Sequence, residues 1–161
     1  MHPFVSMRGN RQRQSGVGML EVLIAVLVVS IGFLGMMALQ TKALSTNNSA
    51  MARGMATVAS YSILDAMRAD VAHAKAGVYG SIPALTTVVA SECPDQGATL
   101  ASVQLHLWCK QLGAALGALP TTQGKVGCDG TGHCTVVITF DDSRADVGGS
   151  ATQKVSAVTQ L

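Results

Sequence analysis

Residues 22–39 read VLIAVLVVSIGFLGMMAL, a run of eighteen residues without a charged side chain. As an α-helix rising about 1.5 Å per residue, this run is about 27 Å long, close to the roughly 30 Å hydrocarbon core of a bilayer. We therefore predict a membrane-spanning helix. An ordinary cleaved signal peptide is the alternative. It needs a shorter apolar core and a small-x-small site close behind, and the nearest such site, residues 50–52, lies eleven residues further on.

Charge is distributed unevenly around this run. The chain has 161 residues and a formal net charge of +2, yet the first sixteen residues alone carry +3 and the remainder −1. Because basic flanks of a membrane helix stay in the cytoplasm, we expect the N-terminus inside the cell and the bulk of the chain exported. Charged residues make up only 12% and aromatic residues 4% of the chain, which argues against a disordered tail or a nucleic-acid-binding surface.

A carboxylate immediately precedes the apolar run. Glu21 follows Gly16 by five residues in the segment QSGVGMLE, residues 14–21. At the centre of a bilayer a carboxylate costs roughly 2.5–3.5 kcal/mol, so Glu21 needs either interfacial water or a cationic partner. Cleavage after Gly16 would free an α-amine on Val17, cationic near neutral pH and on the same helix face as Glu21. The two charges can neutralise each other within one chain or between neighbouring chains.

Residues 8–40 resemble the N-terminal signature of the type IV prepilin family: a basic leader ending in glycine, a glutamate at the fifth mature position and an uninterrupted apolar helix. The resemblance implies that a prepilin peptidase cuts between Gly16 and Val17 and methylates the amine of Val17. It also implies a role for Glu21 in subunit assembly. Valine stands at position 17 where phenylalanine is usual. Ala38 stands where main subunits often have proline, and the absence of proline favours a minor subunit.

Short segments further along are similar to the PilV group of minor pilins, the type IV pilus modification proteins. They are SIGFLG at 30–35, ALQ at 38–40, DAMRAD at 65–70, the segment from Trp108 to Pro120, and VVITFDD at 136–142. The resemblance implies a structural subunit of pilus assembly or initiation, held in the inner membrane with its head in the periplasm and then placed in the pilus, at the tip. It implies prepilin peptidase, other minor pilins, the major pilin and a tip adhesin as partners, and no cofactor.

The chain divides into four predicted regions: a leader at 1–16, a membrane and assembly half-helix at 17–40, a periplasmic half of the same helix at 41–76, and a head domain at 77–161. Helix-forming residues continue without proline to Ala76, and Gly77 is a residue at which the helix can end. One face of the second half-helix is apolar, opposite Arg53, and we expect this face to pack on the head domain. Its members are Leu44, Met51, Met55, Val58, Ala59 and Ala66.

The head domain is predicted to be a small antiparallel sheet, which gives an α+β, pilin-like fold with the long N-terminal helix packed on the sheet. Residues 78–92 are predicted as a loop, and apolar residues spaced by three and four predict a second helix from Leu100 to Pro120. The β-branched stretch 135–140 predicts a strand that forms a hairpin with 125–128, and 155–159 predicts a last short strand.

Four cysteines, all on the exported side of the apolar run, predict two disulfides, because an even count in an oxidising compartment is typical of small bridged domains. Three pairings are possible, and proximity in sequence favours Cys93 with Cys109 and Cys128 with Cys134. A zinc site is the competing interpretation, but the spacings match no zinc ribbon or finger.

No catalytic motif is present in the sequence, and we expect neither an enzyme nor a metal site. The sequence has no phosphate-binding loop, and the aspartates at 141, 142 and 146 lack the spacing of a calcium loop. Two other functions stay open beside the minor pilin. One is a minor pseudopilin of a type II secretion system, which the N-terminus cannot distinguish. The other is a membrane-anchored periplasmic binding module, which predicts an uncleaved N-terminus and a ligand pocket in residues 78–161.

Overall fold

The computed structural model of the chain describes residue 16 and residues 18–145 and 148–161. It contains three helices and four strands in this part of the chain: α1 Met19–Ala69, α2 Val71–Lys75, β1 Thr86–Val89, α3 Leu100–Leu116, β2 Gln123–Cys128, β3 His133–Phe140 and β4 Gln153–Gln160. The chain separates into two units, Met1–Gln40 and Thr41–Leu161, and helix α1 contributes residues to both. The predicted leader, apart from Gly16, lies outside the described residues.

The first unit contributes the apolar start of α1. The carbonyl of Gly18 accepts hydrogen bonds from the backbone N–H groups of Glu21 at 2.9 Å and Val22 at 3.3 Å, which begins the helix. Within the run, the Ser30 hydroxyl donates to the carbonyl of Val26 at 2.7 Å, so this polar group is satisfied inside the helix itself. By length and composition, the helix is long and apolar enough to cross a membrane. A signal sequence can have the same length and composition.

The second unit is built on an antiparallel sheet in which strands that follow each other in sequence are neighbours, in the order β1-β2-β3-β4. Val126 of β2 pairs with Val136 of β3, and Ile138 of β3 pairs with Val155 of β4. Burial alternates along β3 because successive side chains of a strand point to opposite faces. The predicted hairpin and the predicted last strand are both confirmed, as is the coarse α+β arrangement of a long helix packed on a small antiparallel sheet.

Helix α3 packs against both α1 and the sheet. A capping box starts it: the Thr99 hydroxyl accepts from the N–H of Ser102, and the Ser102 hydroxyl accepts from the N–H of Thr99, each at 3.2 Å. Trp108 and Leu112 lie over Gly124 of β2, where any Cβ would overlap the indole ring. The helix ends at Leu116, before Gly117, and therefore earlier than the predicted Pro120.

Two further predictions, the end of the long helix and the loop at 78–92, are also wrong. The long helix does not continue to Ala76, because Asp70 leaves the helical conformation (φ −134°, ψ 48°) and the separate short helix α2 follows it. The carboxylate of Asp70 contacts His73 and Tyr79, and such side-chain bonds compete with the helix. The segment 78–92 is not entirely loop, since it contains β1, a four-residue strand that exists through its pairing with β2.

The prediction of which face of α1 packs on the head is also wrong in large part. Leu44, Met51 and Val58 are exposed, while Arg53 lies against the connection between β3 and β4 and donates to the carbonyl of Gly148 at 2.9 Å. The buried face consists mainly of other residues: Ser49, Ala56, Ala59, Ser60, Ile63, Leu64 and Met67. Several of them are small, so the helix backbone can approach the head closely. Of the predicted face, Ala59 is buried and Ala66 packs against the core.

Candidate functional site

The predicted processing site lies at the start of the described chain. Gly16 is exposed and outside regular structure, and Val17 lies outside the described residues, so the bond between them and the amine of Val17 are not placed. Glu21 stands in the first turn of α1. There the unpaired N–H groups of a helix end favour a negative charge, which gives the carboxylate a favourable local field.

The apolar run of α1 presents a continuous exposed surface. Each large apolar side chain from Met19 to Leu39 has more than half of its area accessible, from 51% at Val22 to 90% at Met19. Residues 22–39 carry no charge. Exposed apolar patches beyond a few hundred Å² mark membrane or protein interaction sites. This surface can therefore enter a bilayer or pack on other apolar helices.

A second apolar surface lies along the contact between α1 and α3, within the unit Thr41–Leu161. We call it the seam groove. Its wider part has a volume of about 500 Å³ and is lined by Met51, Gly54, Met55, Val58, Gln111, Ala114 and Ala115. Its narrower part, about 230 Å³, shares Gln111 and is lined also by Ser62, Ile63, Ala66, Gln104, Leu107 and Trp108. Of these lining residues, all of which the structure describes, none is charged.

A polar clasp joins the β3–β4 connection to α1. The Ser49 hydroxyl donates to Oδ2 of Asp142 at 2.5 Å, and both residues are buried. Nη2 of Arg53 lies 3.6 Å from the same oxygen. The Ser45 hydroxyl donates to the carbonyl of Arg144 at 2.8 Å. A cavity of about 420 Å³ lies beside these contacts. The clasp fixes the loop on the helix.

Three ionisable groups of the head have shifted pKa values. Burial, with the nearby charge of Asp70 and a hydrogen bond to it, raises the pKa of Tyr79 to about 12. The hydroxyl of Thr131, helped by backbone N–H groups including that of His133, lowers the pKa of Asp129. The hydroxyl and N–H of Ser143 lower the pKa of Asp141. Asp129 and Asp141 lie in exposed turns, so their shifts reflect local turn bonding.

The four cysteines form two disulfides, Cys93–Cys109 and Cys128–Cys134, the pairing that sequence proximity favours. Their thiolates are therefore not free to bind zinc. Among the residues that the structure describes, no three histidine, cysteine or acidic side chains form a group that could hold a metal ion. Asp146, one of the three aspartates weighed for calcium, lies outside those residues.

Comparison of the chain with known protein families, with curated proteins and with solved structures gave no match. The function of the chain is therefore inferred from the chemistry of its own surfaces. Sequence reasoning missed the clasp and the seam groove. A serine and an arginine four residues apart in a helix, Ser49 and Arg53, were the available signal for the clasp, because two polar residues on one face predict a polar contact there.

Proposed function

We propose that this chain is a minor pilin, a structural subunit that takes part in assembly or initiation of type IV pili at the tip. The observation that carries the proposal is the division of helix α1 into two parts. Its first part is exposed and apolar, and it is uncharged from 22 to 39. Its second part packs on a small disulfide-bonded α+β domain. The sequence around Gly16 and Glu21, which resembles the prepilin signature, supports the same proposal. On this proposal the chain is not an enzyme.

The mechanism is an exchange of surroundings for the apolar half-helix. The subunit starts in the inner membrane, with its N-terminus in the cytoplasm and its head in the periplasm. Prepilin peptidase removes the leader after Gly16 and methylates Val17. Residues 17–40 then leave lipid and pack on the helices of other minor pilins and the major pilin, with an adhesin at the tip as a further partner. Glu21 meets the amine of its own or an adjacent subunit, which sets the depth at which the subunit docks.

Substitution of Glu21 tests the assembly step separately from processing. We expect Glu21→Ala to be cleaved normally and to fail in assembly, measured as pilus number and recovery of partner subunits. Glu92→Ala, which removes an exposed acid from the head, is the control and should assemble normally. Normal assembly of Glu21→Ala would contradict the proposal. Loss of enzyme secretion with pili intact would instead indicate a pseudopilin.

The mature N-terminus tests the processing step. The intact mass and N-terminal sequence are measured for protein from host membranes with and without prepilin peptidase. We expect a chain that begins at methylated Val17 only when the peptidase is present. An uncut chain would indicate a membrane-anchored binding module, and a chain that begins at Arg53 would indicate an ordinary signal peptide; either result overturns the proposal.

A further inference from the structure

Strand β4 forms one edge of the sheet, and no strand of the described residues lies on its outer side. Its eight residues pair one by one with β3, from Gln153 opposite Phe140 to Gln160 opposite His133, without a bulge. Between Gly148 and the end of the chain there is no proline, and Lys154 carries the only charged side chain. Proteins protect long edges with bulges, prolines or several charges, because unpaired backbone groups pair readily with another chain. β4 has little of this protection.

The ladder identifies which backbone groups of β4 point outward. The N–H of Leu161 donates to the carbonyl of Gly132 at 2.9 Å. Hydrogen-bonded pairs alternate along an antiparallel ladder, so every second residue of β4, beginning at Gln153, bonds to β3. The residues between them direct their N–H and C=O groups away from β3: Lys154, Ser156, Val158 and Gln160. Within the described part of the chain, only one of these eight groups has a partner, the carbonyl of Gln160, which accepts from the Thr159 hydroxyl at 3.4 Å.

The burial of side chains also shows that this side of the sheet is open. On β3, which has a strand on each side, the core-facing side chains are at most 1% exposed. Val155 and Ala157 of β4 face the same core and are only partly buried. Neighbouring strands lie about 4.8 Å apart with their side chains in contact, so a further strand beside β4 would cover these two residues.

The opposite edge of the sheet, strand β1, offers less backbone for pairing. It has only four residues. The N–H of Ala90 donates to the carbonyl of Thr122 at 2.9 Å, and the same alternation therefore directs only Thr87 and Val89 outward. The carbonyl of Val89 already accepts the N–H of Glu92 at 3.0 Å. β4 is thus the longer and the more open of the two edges.

We propose that β4 binds an extended segment of a different protein, which joins the sheet as a fifth strand beside β4. Such a segment supplies backbone N–H and C=O groups that match the four outward residues of β4, over a length of about 20 Å. A helix cannot do so, because its backbone groups are already paired along its own axis. This inference goes beyond the proposed function and does not depend on it.

Two side chains on the outer face of β4, the face opposite the core, specify the partner. Val158 is 65% exposed, and Lys154 makes no ion pair with a described residue. Side chains directly opposite each other on adjacent strands are in contact. We therefore expect an apolar residue of the segment beside Val158 and an acidic residue beside Lys154. These two residues of the segment should be four positions apart, because every second side chain of a strand lies on the same face.

A second copy of this chain, paired through its own β4, does not meet these conditions. β4 contains no acidic residue, so no alignment of two β4 strands gives Lys154 an opposite charge. In a parallel alignment without offset, the two copies of Lys154 would be neighbours, and like charges on adjacent strands are destabilising. The partner is therefore a chain of different sequence.

Photocrosslinking of the full-length chain in host membranes identifies the segment. The probe is p-benzoylphenylalanine at position 158, and the crosslinked peptide is identified by mass spectrometry. We expect one segment of a different protein, with an acidic residue four positions from an apolar one. The same probe in place of Leu107, which is exposed on α3, should not capture this segment. Capture only of lipid, of β4 from a second copy, of a segment without this pattern, or of nothing would overturn the proposal.

Proline at position 156 tests the backbone pairing. Ser156→Pro removes an outward N–H that β3 does not use, and proline is tolerated on an edge strand. Ser156→Ala keeps this N–H and is the matched control. We expect Ser156→Pro to weaken binding of a synthetic peptide of the captured segment on the order of tenfold or more, because the ring also obstructs the added strand. Equal affinities of the two variants would overturn the proposal, and thermal unfolding of both verifies that the head is folded.

Reversal of one charge gives a test that leaves the backbone unchanged. Lys154 of β4 and Lys125 of β2 are both exposed on the outer face of the sheet, and only Lys154 lies on the open edge. We expect Lys154→Glu to weaken binding of the same peptide about two- to fivefold, and lysine in place of the acid of the peptide to restore it. Lys125→Glu should bind as the wild type does. Equal effects of the two substitutions would contradict pairing at β4.

Failure of this proposal and failure of the proposed function are distinguishable. If Glu21→Ala fails to assemble while the probe at position 158 captures no such segment, only the strand-binding proposal is wrong. If the probe captures the segment while Glu21→Ala assembles normally, only the proposed function is wrong.

Discussion

Trp108 of α3 donates its indole N–H to the main-chain carbonyl of Ala59 in α1 across 2.9 Å. Both residues are buried, and only 2% of the surface of Trp108 is exposed. In a regular helix that carbonyl also accepts the N–H four residues further on, so the indole is an additional donor that fixes where α3 lies along α1. This contact therefore determines the width of the seam groove at its narrower end, which Trp108 lines.

Removal of this donor should destabilise the head. Trp108→Phe loses the hydrogen bond and part of the ring volume, and we expect a decrease of about 2–4 kcal/mol in the free energy of unfolding. The measurement is urea unfolding of the detergent-solubilised full-length chain, followed by circular dichroism. Leu107→Ala, next in sequence and exposed, is the control and should change stability by less than about 1 kcal/mol. A loss in Trp108→Phe no larger than the control would contradict this account.

The close packing at Gly124 makes a second prediction. A Cβ there would overlap the ring of Trp108 and lie 2.7 Å from Cδ1 of Leu112. We expect Gly124→Ala to lower the free energy of unfolding by about 1–3 kcal/mol, because overpacking displaces α3 from β2. Gly130→Ala, where an added Cβ meets nothing within 4 Å, should change it little. Thermal unfolding of the two variants compares them directly. Similar melting temperatures would contradict this prediction, because they would show that α3 accommodates the added methyl group without loss of stability.

The clasp predicts a difference between two serines of α1. Ser49→Ala leaves a buried oxygen of Asp142 without its hydroxyl donor, and we expect a loss of about 1–3 kcal/mol in the free energy of unfolding. Ser45→Ala removes a hydrogen bond that water can replace, since this contact is exposed, and should have the smaller effect. The pair is measured by urea unfolding. A larger loss in Ser45→Ala would mean that the clasp is not what holds the loop.

Tyr79 predicts a decrease of stability in alkali. Its pKa is raised from 10.0 to about 12 in the folded chain. The neutral phenol is therefore favoured by folding: its contribution is fully present below pH 10 and is lost as pH rises from 10 towards 12. The difference corresponds to about 2–3 kcal/mol. Melting temperatures of the wild type and Tyr79→Phe between pH 8 and pH 12 measure it.

The substitution isolates Tyr79 from other groups that titrate at high pH. Wild-type stability should decrease more steeply than that of Tyr79→Phe above pH 10, because the variant has no phenol at this position to ionise. Parallel curves for the two proteins would contradict a raised pKa at Tyr79. Absorbance of tyrosinate near 295 nm follows the ionisation itself, and ionisation of Tyr79 should coincide with unfolding because the residue is buried.

Several elements could be predicted because their signals are local. The β-branched residues of β3 and the turn before them indicate a hairpin, and spacing by three and four residues indicates α3. The break at Asp70 and the strand β1 could not be predicted in this way. Asp70 leaves the helix where its carboxylate meets Tyr79, and Thr86–Val89 is a strand through its partner β2. Both depend on contacts with residues outside the segment itself, which the local sequence pattern does not show.

The candidate site divides in the same manner. The uncharged run at 22–39 and the acid at position 21 are visible in the sequence alone, because hydropathy and spacing along one helix need no further contacts. Which face of α1 the head covers was decided only by tertiary packing. The sequence determined that the helix has more apolar surface than one face can bury. The fold selected the face with Ala56 and Ser60, since small side chains let α1 approach the head closely, and left Met51 and Val58 exposed.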